Sequence, residues 1–113
     1  MIKRPLQTQD RHIRMIQGVI ANTGTPAITT GNGFSIADDG VGLVTVTLTD
    51  PGRSLVGLSV LIIESTAATA HLAKAITATA TAVQFATFVA DGTDGAPADV
   101  GFAFSITVKD TEV

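Results

Sequence analysis

Between Val44 and Thr49 apolar and hydroxyl side chains alternate without a fault, Val44, Val46 and Leu48 on one side and Thr45, Thr47 and Thr49 on the other. A period of two marks a strand buried on one face, and threonine suits the wet face of an antiparallel sheet. Upstream, Phe34 and Ile36 share one side of a shorter alternating run, and Asp38-Asp39-Gly40-Val41-Gly42 separates the two runs. Asp-Gly in that place predicts a hairpin, because glycine supplies the positive φ of a tight turn. The stretch 31–50 is the element around which the remaining pattern is arranged.

The other segments repeat the theme. Residues 1–14 carry Pro5 and no clean period, which predicts an extended arm, with the domain proper from 15 to 113. Met15 to Ala21 reads as a first strand, and Ala27 to Thr30 as a brief one after a breaker-rich turn. Asp50-Pro51-Gly52-Arg53 is a turn, since proline presets φ at its second position and glycine suits the third. It leads into Ser54 to Glu64, the most apolar segment, where Val56, Leu58, Val60 and Ile62 alternate inward and Leu61 and Ile63 make the far end apolar on both faces. An end apolar on both faces predicts either a central strand or a subunit interface at Leu61 and Ile63. Ser65 to Lys74 predicts a helical turn or a loop of small residues, and Ala75 to Ala90 one strand whose phase slips at a bulge. Asp91 to Pro97 reads as an exposed loop, and Val100 to Lys109 as a last strand with Phe102, Phe104, Ile106 and Val108 facing in. Six or seven strands joined by Gly/Pro turns predict an all-β fold, an antiparallel β-sandwich or jelly-roll-like barrel.

Composition sharpens this picture. The 113 residues are 45% hydrophobic, with five Phe and no Trp or Tyr, so the core is built from Val, Ile, Leu and Ala and is light for its size. Association with other copies would offset that deficit. Cysteine is absent, which excludes disulfides and thiolate chemistry. The longest apolar run, Val60 to Ile63, falls far short of the ~20 residues of a membrane helix, and the amino terminus lacks the apolar stretch of a signal peptide. A soluble protein without a membrane partner is expected.

Charge is unevenly placed. Residues 1–14 hold Lys3, Arg4, Arg11 and Arg14 against Asp10, whereas the rest holds three cations against nine acids. A basic arm before an acidic body predicts contact with an acidic protein neighbour, through Lys3, Arg4, Arg11, His12 and Arg14. Four basic residues without interleaved aromatics do not make a nucleic-acid patch.

Candidate chemistry is sparse. His12 and His71 stand at no metal-ligand spacing, and no serine sits in a GxSxG context. Gly31-Asn32-Gly33 lacks the third glycine of a dinucleotide loop, and 91–95 lacks the closing glutamate of a calcium loop. Asp38, Asp39, Asp50, Asp91, Asp94 and Asp99 lie in predicted turns, solvated rather than poised in pairs for glycosidase work. No enzyme, cofactor or metal is expected.

The order of basic arm, short strand, Gly31-x-Gly33-Phe34, the Gly40-x-Gly42 turn, Thr45-Val46-Thr47-Leu48, the proline turn and a final Phe-Ala-Phe-Ser-Ile-Thr-Val strand resembles a group of small tailed-phage virion proteins. The resemblance spans roughly residues 15–108. It implies a capsid decoration (cement) protein that binds the outside of the shell as an oligomer, expected to be a homotrimer, with the major capsid protein as partner and the virion exterior as its place. The Thr/Ala-rich run from Ala75 to Ala86 departs from the pattern. Alternatives are a tail or head-tail connector protein, and a host- or carbohydrate-binding β module; the lack of Trp and Tyr counts against the last.

Overall fold

The structure, a computed structural model, describes residues 13–63, 70–90 and 95–110. Eight strands occur among them: β1 (Ile13–Asn22), β2 (Pro26–Thr30), β3 (Phe34–Gly40), β4 (Leu43–Leu48), β5 (Ser54–Ile62), β6 (His71–Ala78), β7 (Ala82–Val89) and β8 (Phe102–Lys109). They form two four-stranded antiparallel sheets, ordered β2-β1-β8-β5 and β3-β4-β7-β6. The sheets pack as a sandwich, and among the described residues no ladder joins them into the barrel that was the other expectation. Edge strands stack in pairs, β2 with β3 at one flank and β5 with β6 at the other.

The alternating runs become the core. Val44, Val46 and Leu48 of β4 lie buried opposite Phe102, Phe104, Ile106 and Val108 of β8, with Ile16 and Ile20 of β1 and Val83 and Phe85 of β7 beside them. Four of the five phenylalanines meet there: Phe34 and Phe104 edge to face at 5.0 Å, and Phe85 against Phe102 at 5.3 Å and Phe104 at 5.5 Å. Such pairs add ~0.5–1.5 kcal/mol each to plain burial. A core poor in large side chains thus concentrates its aromatics at the centre of both sheets.

The hairpin forms as its residues predict. β3 and β4 pair in register from Phe34↔Leu48 to Asp38↔Val44, and a bulge at Asp39 precedes the Val41-Gly42 turn. Gly31 is required where it stands. Its φ is 112°, and a Cβ there would lie 2.5 Å from the Gln17 carbonyl oxygen.

Several expectations need correction. The predicted single strand from Ala75 to Ala90 is two strands, β6 and β7, which raises the count from six or seven to eight. The turn between them, Thr79-Ala80-Thr81, has no glycine or proline; the Thr79 hydroxyl replaces them by accepting from the backbone N–H of Thr81 (3.2 Å) and Ala82 (3.1 Å). Residues 71–74, expected in a helical turn or loop, open β6 instead, because their partners Thr87, Phe88 and Val89 on β7 extend the ladder to His71. Finally, Val56 does not face inward with Leu58, Val60 and Ile62. A bulge between Leu55 and Gly57 turns it to solvent, and Leu55 takes the inward place. Ile13 and Arg14, expected in the arm, pair with Lys109 and Val108 in β1, and β5 is an edge strand rather than a central one.

Candidate interaction surface

The residues expected to touch partners fall into two groups. Lys3, Arg4, Arg11 and His12 lie outside the described residues. Arg14, grouped with them by charge, is built into the domain: its Nε and Nη2 donate to the two Asp110 carboxylate oxygens at 2.8 Å each, and Nη2 also donates to the Asp50 carbonyl at 2.9 Å. The Asp110 hydrogen bonds raise the pKa of this guanidinium further. A bidentate fork of this kind has fixed geometry. Arg14 clips the start of β1 to the end of β8 and to the turn before β5.

Leu61 and Ile63 are exposed in the isolated chain, Leu61 at 69% of its full surface. The reason is register. Leu61 lies opposite Ala103, on the outward side of β8, while Leu58, Val60 and Ile62 turn inward against the core. They are not alone. Val56 is exposed at the β5 bulge, and on the neighbouring edge strand β6 Leu72 and Ile76 are exposed as well. Ile76 sits at a second bulge, between Ala75 and Thr77. Five large apolar side chains are thus exposed along β5 and β6, Leu61 and Ile63 on the outer face of one sheet and Leu72 and Ile76 on the outer face of the other.

A shallow groove of about 260 Å³ on the outer face of β6 and β7 is lined by Leu43, Lys74, Ile76, Phe88 and Pro97. The Lys74 ammonium lies 5.7 Å from the centre of the Phe88 ring, a cation–π contact. Phe88, the one phenylalanine outside the central cluster, faces this groove.

The acidic residues serve local geometry. Asp38 Oδ1 accepts from the Gly40 N–H within the hairpin turn. Asp39 accepts from the Thr45 hydroxyl and from Gln84 Nε2, which hold its carboxyl below the usual carboxylate range, the Thr45 bond most of all. Asp99 Oδ1 receives the Gly42 N–H at 2.8 Å and the buried Asn22 amide at 3.4 Å, tying the chain before β8 to the β3–β4 turn. Thr87, also buried, donates to the Ala98 carbonyl at 2.6 Å. No protein-family model, curated protein or solved structure matches the chain.

Sequence reading found Leu61 and Ile63 but missed Val56, Leu72 and Ile76. One signal was available for Val56: an isolated glycine inside a strand, here Gly57, marks a bulge. Leu72 and Ile76 sit in a run with no such marker.

Proposed function

We propose that this chain is a capsid decoration protein of a tailed phage, binding the outer shell as an oligomer, a homotrimer, and stabilising it. The observation that carries the reading is the flank described above. A small sandwich whose described acids serve turns and clips, and which leaves five large apolar side chains exposed along its edge strands β5 and β6, is suited to docking. The basic residues Lys3, Arg4, Arg11 and His12, placed just before β1, add charge of the sign opposite to the body's and supply a second contact, with the major capsid protein.

The work of such a protein is mechanical. Each copy spans neighbouring shell subunits and binds the assembled state but not its parts, so occupancy raises the free energy of rupture by about RT ln(1 + [L]/Kd), ~2.7 kcal/mol at a hundredfold excess over Kd. A standard interface buries ~1,600 Å² in total.

The test mixes purified chain with undecorated shells. Saturable binding and a higher shell-rupture temperature are expected, and removal of residues 1–12 should abolish binding while leaving the domain folded. The deletion must stop before Ile13, because β1 starts there. Shells that neither bind the intact chain nor gain resistance would overturn the reading.

A further inference from the structure

We infer that Asn32, at the corner between β2 and β3, is a site of spontaneous modification, its side-chain amide closing on the Gly33 nitrogen and reopening as a carboxylate.

The chain has two asparagines, and the fold treats them in opposite ways. Asn22 is buried, its Nδ2 donating to Asp99 Oδ1 at 3.4 Å and its Oδ1 accepting from the Gly24 N–H at 3.1 Å. Thr23, which follows it, sets a branched side chain beside the nitrogen that would have to react. Asn32 is exposed and is followed by glycine. Among the described residues no hydrogen bond holds its side chain or the Gly33 N–H. Gly33 has no Cβ to shield its nitrogen, and nothing beyond its chain neighbours comes within 4 Å of where one would stand. The amide carbon of Asn32 and the nitrogen of Gly33 are both free to meet.

The chemistry needs only water. The Gly33 nitrogen gives up its proton and bonds to Asn32 Cγ, while the Cγ–Nδ2 bond breaks and the amide leaves with that proton as ammonia. Water then opens the cyclic imide at either carbonyl. Breaking the new N–Cγ bond gives aspartate with the main chain restored, and breaking the original peptide bond gives isoaspartate, whose main chain runs through Cβ and Cγ. Nothing is oxidised or reduced, and either product adds a negative charge.

The corner discriminates between these products. On one side of Asn32, Gly31 is seated against the Gln17 carbonyl; on the other, the Gly33 carbonyl accepts from the Thr49 N–H at 2.9 Å. Aspartate keeps the spacing between the two anchors. Isoaspartate lengthens the main chain between them and forfeits one, so the fold favours aspartate.

The full chain held in mildly alkaline buffer, native and in denaturant, tests this by fragment masses. Native Asn32 should gain about 1 Da with release of ammonia, at a rate within about tenfold of the denatured chain because the site is already open in the fold. Native Asn22 should keep its mass. The isoelectric point should move below about 5.0, Asn32→Ser should abolish both changes, and the share of aspartate should be higher from native than from denatured chain. Native Asn32 left unchanged while the denatured chain converts, or native Asn22 converting first, would overturn the inference, and equal product shares would remove the corner's part in it.

Discussion

The two flanks of the sandwich are built from the same kind of element and finished differently. At the β2/β3 flank the strands are short, five and seven residues, the first opens with Pro26, and the second ends in Asp38 and Asp39 at a bulge. Short strands, proline and carboxylates help keep a sheet edge from recruiting another chain. At the β5/β6 flank the strands are longer, the bulges bear Val56 and Ile76, and Leu61 and Leu72 are exposed on the outer faces of their respective sheets. Among the described residues the two edges thus differ in strand length, proline and carboxylate content.

Substitutions at graded distances from the flanks sharpen the contrast. Phe85→Ala, at the centre of the aromatic cluster that both flanks share, should cost ~3–5 kcal/mol in denaturant unfolding and weaken both sides together; an effect below ~1 kcal/mol would show that the two sheets are not held by that cluster. Gly31→Ala strikes the guarded flank alone. Its φ of 112° and the 2.5 Å approach to the Gln17 carbonyl predict a loss of ~1–3 kcal/mol with association unchanged, and a neutral result would remove the need for glycine at that corner.

The smallest effect belongs to Asp39. Its carboxyl is held below the usual range in the folded state, so its hydrogen bonds stabilise above the unfolded pKa of ~3.9 and the contribution fades as pH falls below about 4. Asp39 is exposed, and solvent screening keeps the contribution below ~1 kcal/mol. Asp39→Asn should lower stability slightly at pH 7 and flatten the acid limb of the unfolding profile. An unchanged limb would assign the acid dependence to other carboxylates.

Much of the fold was legible because burial imposes a period of two. Val44, Val46 and Leu48, and likewise Phe102, Phe104, Ile106 and Val108, alternate in the chain as they alternate in the sheets. What the pattern hid were places where the period is broken by backbone rather than by composition. The Thr79-Ala80-Thr81 turn is made by a hydroxyl, so no glycine or proline announces it. The bulges at Val56 and Ile76 each shift the phase by one residue, which moved Val56 from the predicted core to the surface. The exposed apolar residues were half legible for the same reason: Leu61 and Ile63 stand out as apolar neighbours of an inward run, whereas Leu72 and Ile76 lie among alanines and threonines on a strand whose existence depends on the hidden turn. Arg14 shows the limit of reading charge alone, since a guanidinium grouped with a partner-binding arm is held by Asp110 within the domain.

Amide hydrogen exchange, followed with and without undecorated shells, tests the central contrast most directly. Outward-pointing amides of β5 and β6 should exchange quickly in the free chain and slow on binding, while those of β2 and β3 stay fast throughout. Equal protection at the two flanks, or slowing confined to β2 and β3, would contradict the account.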